Sequence, residues 1–227
     1  MKKESIKVLQ DLSANCGQLS ANEIRKEIER VFFIETPKAA GSFRLESICT
    51  KHDKARGDYF TEGIMYKYGY KMATDLTELY AIEEGYDEEG AIITKDGRNI
   101  AGTCGRCPDW RNIIPKKEAT TNYREFSADL EAAMNFQKEV KAKAKTQTSD
   151  DPEWIEADKA MVKFGDIYFR LDRWINFAKF MAAYGIHTFF ADKRRAACAG
   201  SLEDGHVGLL MPLTTPYEYG PVLEMAV

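Results

Sequence analysis

Long apolar runs are missing from this sequence of 227 residues. No stretch reaches the roughly 18–20 consecutive apolar residues that a membrane helix needs. At the N-terminus, Glu4, Lys7, Gln10 and Asp11 interrupt the apolar positions before a signal-peptide core can form. Cysteine is sparse and odd in number, with five residues (Cys16, Cys49, Cys104, Cys107 and Cys198) at irregular spacing. A disulfide framework is therefore not expected, and reduced thiols in the cytoplasm are. The three histidines, His52, His187 and His206, have no serine or cysteine nucleophile in an elbow motif to serve, and no glycine-rich phosphate loop occurs. Neither a cofactor nor catalysis is called for. Neither sign of charge dominates: 32 basic against 36 acidic residues leave a net charge of −4. Bulk electrostatic coating of nucleic acid is excluded, whereas a local basic surface is not.

What is present is an ordinary globular balance, with 44% hydrophobic and 30% charged residues. Ile6, Leu9 and Leu12 share a helical face, and Ser20 to Glu23 is a capping-box pattern, so residues 1–31 read as a helical segment. A strand at 32–34, a turn and a short helix over about 43–54 follow. Residues 59–81, rich in β-branched and aromatic side chains and punctuated by Gly63 and Gly69, read as strands joined by tight turns, and 91–97 as a strand entering an Asp-Gly turn. Helical spacing of Phe126, Leu130, Ala133, Met134, Phe136 and Val140 predicts a helix over 123–144. The polar stretch 145–151 before Pro152 is the best internal boundary. Beyond it the pattern predicts a strand at 162–169, a helix capped by Asp172 and closed by Gly185, and three short strands at 187–191, 195–199 and 206–211. The expected divisions are 1–31, 32–117, 118–215 and an irregular tail at 216–227.

The order of strand, helix and three strands in the last hundred residues, with a similar order at 32–82, predicts an α+β fold of duplicated βαβββ halves, helices on one face of curved antiparallel sheets. Three segments then resemble the bacterial DNA sliding clamp, the processivity subunit of the replicative polymerase. Residues 73–79 (ATDLTEL), 108–115 (PDWRNIIP) and 207–213 (VGLLMPL) are similar to that family's ATDGHRL, PDYRRVLP and VVMPM, in the same order. The similarity runs loosely over residues 43–213. It implies a DNA-clamp-like fold and a non-catalytic role. It also implies a cleft for short hydrophobic partner peptides at Thr74, Leu79, Pro115, Leu209 and Met211. Leu and Met suit such a cleft because they form an adaptable apolar surface. Read without the resemblance, Leu79, Leu209 and Met211 are core strand residues. The chain departs from the family where Leu76-Thr77-Glu78 stands in place of Gly-His-Arg. It also continues fourteen residues past Leu213, a tail expected to be able to cover the cleft.

A clamp surrounds duplex DNA with helices whose basic residues meet phosphates, an attraction without base contacts that permits sliding. The positions implied are Lys51, Lys54 and Arg56, then Lys138, Lys141, Lys143 and Lys145 on the long helix, and Arg173 and Lys179 on the last helix. Lys193, Arg194 and Arg195 are expected in a turn at the rim. Each cluster also reads as a solvated helix face. The partners implied are duplex DNA, a peptide of a polymerase-like or repair protein, and further copies of the chain. One alternative is a clamp-fold interaction module without a DNA ring. A second is a metal-dependent nuclease, since Pro108-Asp109 with Glu139-Val140-Lys141 matches the PD-(D/E)xK pattern. Cys104 and Cys107 have the spacing of half a zinc site, which Cys49 or His52 would have to help complete.

Overall fold

The computed structural model describes Ser13 and residues 43–50, 59–84, 89–102, 109–115, 123–148 and 154–225. The helical segment expected at 1–31, the strand at 32–34, Lys51, His52, Lys54, Arg56, and Cys104 and Cys107 lie outside these described residues. From Phe43 on, the chain forms one compact unit.

The eleven strands among the described residues are β1 (Gly63–Lys67), β2 (Tyr70–Thr74), β3 (Glu78–Glu83), β4 (Ile92–Thr94), β5 (Arg124–Ser127), β6 (Met161–Phe164), β7 (Ile167–Arg170), β8 (Thr188–Asp192), β9 (Arg195–Ser201), β10 (His206–Leu210) and β11 (Val222–Met225). Two α-helices, α1 (Leu130–Thr146) and α2 (Leu171–Ala183), accompany them. Eight strands form one antiparallel sheet in the order β4-β1-β2-β3-β10-β9-β8-β5. Its seam is the β3–β10 pair, which sets Leu79 opposite Leu209 and joins four strands from the first half of the chain to four from the second. The fold is thus α+β. The two halves match in strand number within this sheet, but both α-helices described belong to the second half.

Alternation along the seam strands decides what each face of the sheet buries. Tyr80 and Leu210 point to one core, with Phe126, Phe164, Phe169, Trp174, Phe177, Phe180 and Phe189. This side carries the buried stripe of α2, namely Trp174, Ile175, Phe177, Ala178, Phe180 and Met181, and α1 packs there through Ala133 and Val140. Leu79, Ala81, Val207 and Leu209 point the other way, into a second core with Met65, Met72, Ile92 and Trp110. The helices therefore cover one face, and the other is left to short segments.

Several sequence expectations change. Residues 124–127 are strand β5, paired with β8 so that Phe126 meets Phe189, and α1 begins only at Leu130, where the Asp129 side chain accepts from Ala132 N–H at 2.9 Å. Residues 161–170 form a hairpin rather than one strand, turned at Gly165 with φ +61°. Asp172 is not the N-cap of α2 but its second residue; its carboxylate binds Arg170 and accepts from Arg173 N–H at 2.9 Å. The tail is not irregular: β11 runs parallel to β6 in a three-stranded sheet β11-β6-β7, whose Val162, Phe164 and Phe169 belong to the helix-side core. Of the short helix expected at 43–54, a 3₁₀ turn at Leu45–Ser47 is described.

Candidate functional site

On the face opposite the helices lies an open groove of about 600 Å³. Thr74 and Leu79 enter it from β2 and β3, and Leu209 and Met211 from β10 and the residue just past its end. Pro115 enters from the loop after a 3₁₀ turn at Trp110–Ile113. The five cleft positions expected from the sequence thus meet in one place, although they come from three segments that are distant in the chain. Met65, Met72 and Trp110, all buried, line it too. Leu76, Ile113 and Met211 stand at its edge and are 46%, 58% and 48% exposed. An apolar floor with exposed apolar side chains around it is the composition of a binding surface rather than of a solvated face. No described residue beyond Met211 lines the groove, so the expected covering by the tail is corrected: that segment is engaged with β6.

The turn between β2 and β3 is tightly held. Asp75 Oδ1 accepts from Thr77 N–H at 2.9 Å, Thr77 Oγ1–H at 2.8 Å and Glu78 N–H at 2.9 Å, an Asx-type turn. Thr74 Oγ1 accepts from Leu76 N–H at 3.0 Å and donates to the Glu78 carbonyl at 2.7 Å. Met211 N–H donates to the Thr77 carbonyl at 2.8 Å, tying the end of β10 to the same turn. Within it Leu76 has φ +76°, the left-handed region. That conformation costs a non-glycine residue about 1–2 kcal/mol.

A buried ionic network fixes the turn from behind. Arg173 of α2 reaches Asp75 Oδ2 at 2.6 Å and Glu78 Oε1 at 2.8 Å, and the two carboxylate side chains are 4% and 0% exposed. Asn176 donates to Glu78 Oε1 at 3.0 Å and the Tyr80 hydroxyl to Glu78 Oε2 at 2.7 Å. Burial pushes the Glu78 carboxyl above its ordinary pKa, a shift that Tyr80, Arg173 and Asn176 oppose. Burial, followed by the neighbouring Glu78 charge, pushes the Tyr80 hydroxyl well above its own. Arg173, expected on a DNA-facing surface, is therefore corrected: its charge is compensated internally by two carboxylates.

Arg195 and Tyr123 also line the groove. The Tyr123 hydroxyl donates to the Ala196 carbonyl at 3.0 Å, and burial pushes its pKa up to about 12, so it stays protonated. Arg195 is exposed and makes no ion pair with a described residue, whereas Asp109 is paired with Arg111 at 3.2 Å. The indole N–H of Trp110 is buried with no acceptor among the described residues.

Lys193 and Arg194 lie in the turn between β8 and β9, and the other described basic candidates lie on the two helices. Lys138, Lys141, Lys143 and Lys145 are all exposed on α1, the first, second and fourth at the spacing of one helical stripe. Lys179 is half-buried on α2. The nuclease pattern is not assembled: Asp109 adjoins the groove, while Glu139 and Lys141 sit on α1, across the sheet. Its carboxylates cannot share a metal at that separation, and no group of three or more His, Cys, Asp or Glu among the described residues could hold one. Cys49 is a half-buried thiol whose pKa burial raises to about 11. Among the described residues, no helix is long and apolar enough to cross a membrane.

The sequence motifs point to five of the groove-lining positions and mark Leu76 as a departure in the same wall, whereas Arg195 is expected at a DNA-facing rim instead, and Trp110 and Tyr123 carry no expectation. Leu76 carried a signal, since it occupies the glycine position of ATDGHRL, where a left-handed residue is to be expected.

No family model matches the sequence, and no curated protein matches it. Among solved structures the chain is similar to the DNA polymerase III subunit beta from Pseudomonas aeruginosa, at 10% identity and a TM-score of 0.45 over 75% of this chain and 62% of that one. It is similar to the DNA polymerase III beta chain from Streptococcus pneumoniae TIGR4, at 12% identity and a TM-score of 0.47 over 75% and 62%. A third is the Helicobacter pylori beta clamp bound to a DNA ligase peptide, at 10% identity and 0.43 over 75% and 61%. The chain spans about 62% of the length of these solved structures.

Proposed function

We propose that this chain is a non-catalytic, clamp-like binding protein of DNA metabolism, whose groove captures a short extended segment of a replication or repair partner. The observation that carries the reading is the meeting of Thr74, Leu79, Pro115, Leu209 and Met211 in one apolar groove. The groove is open, lined by Leu, Met, Ile and Trp, and suits apolar side chains of an extended peptide better than a small polar metabolite. Arg195, exposed in the groove lining and without an ion-pair partner among the described residues, gives it a preference for a segment that carries a carboxylate. The helix face, with Lys138, Lys141, Lys143, Lys145 and Lys179, is the surface that meets duplex phosphates.

Trp110 in the groove floor is the reporter for the test. Bound peptide is expected to change its fluorescence, and Trp110→Phe to abolish the change. Met211→Ala and Leu79→Ala are each expected to weaken a groove-binding peptide about tenfold, the effect of losing roughly 1.4 kcal/mol of apolar contact. Met211 is half exposed, so Met211→Ala should leave the melting temperature within a degree or two. Unchanged affinity in both variants would mean that the groove is not the binding site.

A further inference from the structure

The peptide-binding reading of the groove leaves one observation without a purpose: a leucine holds a backbone conformation that a glycine would hold without strain. Leu76 has φ +76°, is almost half exposed, and lines the groove at its edge. Five hydrogen bonds from Thr74 and Asp75 fix the surrounding turn, and Arg173 clamps Asp75 from the helix side at 2.6 Å. Strained residues persist where surrounding structure over-determines them, and they concentrate at ligand clamps. Burial cannot explain Leu76, because its side chain lies in the open rather than in either core. The side chain therefore acts where it is displayed, at the mouth of the groove beside Met211.

We propose that Leu76 is a specificity-determining lip: it narrows the groove and selects extended peptides with aliphatic rather than aromatic anchors, the peptide also carrying an acidic residue that pairs with Arg195. This rests on the groove being the peptide site. A glycine at position 76 would remove the strain and open the mouth by a full isobutyl group. That space is enough to admit a ring, and differences of one or two methylenes in an apolar pocket change selectivity tenfold or more. Asp75 and Arg173 are positioning residues, acting through the turn that presents the lip.

The test is to pan a displayed random heptapeptide library on the full-length chain and on Leu76→Gly, Leu76→Ala and Met211→Ala. The wild-type chain is expected to enrich acidic peptides with aliphatic anchors, and Met211→Ala to lose them. Leu76→Gly and Leu76→Ala are both expected to shift the enriched anchors toward Phe and Tyr. For matched synthetic Leu- and Phe-anchored peptides, the affinity ratio should change by about tenfold. Leu76→Gly should melt no lower than the parent, while Leu76→Ala keeps the strained backbone and separates the lip from any loosening of the turn. If wild-type and both Leu76 variants enrich the same peptides, all lost in Met211→Ala, the groove reading stands and the lip is wrong. If nothing enriched on the wild type depends on Met211, the groove reading fails and takes the lip with it. A melting temperature of Leu76→Gly below the parent's would overturn the claim that the leucine is strained.

Discussion

Two carboxylates and one guanidinium decide the shape of the groove wall. Arg173 bridges Asp75 and Glu78, whose carboxylate side chains are almost wholly buried. Replacing it by alanine strands two buried charges, for which the expected loss is about 3 kcal/mol or more, read as a lowered urea midpoint. Glu78 supplies a pH signature as well. Its folded pKa lies above the unfolded value because burial disfavours the anion, so the native state binds the proton more tightly than the unfolded chain. Its contribution to stability is then fully present below the unfolded pKa and is lost as pH rises through the folded one. As the pH falls from neutral toward the ordinary carboxylate range, the wild type should gain stability relative to Glu78→Gln. A difference that shrinks on acidification would assign the raised pKa to the wrong group. None of this was legible in the sequence, where Arg173 reads as one more cation on a helix. The identity of its partners depends on β3 lying beneath α2, a tertiary fact.

At the level of elements, the strands of the two halves announce themselves through alternation and turn residues. The Tyr68-Gly69 hairpin, with φ +59° and +83°, and the α2 stop at Gly185 follow directly from local chemistry. The failures share one cause. Phe126 fits the helical spacing that continues through Leu130 and Ala133, yet pairing with Phe189 across β5 and β8 places it in the sheet. Likewise β11 has little local signal and exists because β6 offers it an edge. Partner strands far away in sequence override short-range pattern. One residue shows how closely helix and sheet fit: a Cβ on Gly208 of β10 would lie 2.7 Å from the Phe180 ring and 3.3 Å from that of Tyr80. Gly208→Ala is therefore expected to cost about 1–3 kcal/mol through overpacking, visible as a drop in the thermal midpoint. An unchanged midpoint would show that α2 can move away from the seam freely.

For the whole molecule the two faces of the sheet divide the labour that we propose, peptide on one side and duplex on the other. Electrostatic binding by the helix face predicts a salt dependence. Replacing Lys138, Lys141 and Lys145 together by alanine should reduce the slope of log affinity against log salt by about 0.9 for each phosphate that is no longer neutralised. A slope equal to that of the parent would remove these lysines from the interface and favour the interaction module without DNA. Encirclement makes a separate demand: retention on circular but not linear duplex, together with a closed symmetric oligomer by mass measurement. The charge balance permitted such a division of faces but could not assign it. Which side of each strand faces the helices is settled only by the register at the seam.

That seam also governs when the binding surface comes into being. Leu79 and Leu209 are direct neighbours across β3 and β10, yet 130 positions separate them along the chain. A ribosome must release the chain through β10 before these two side chains can meet, and closing so long a loop is a slow step in folding. Nascent chains that stop short of β10 consequently lack the wall that Leu209 and Met211 supply, and the groove is completed only once that strand has emerged.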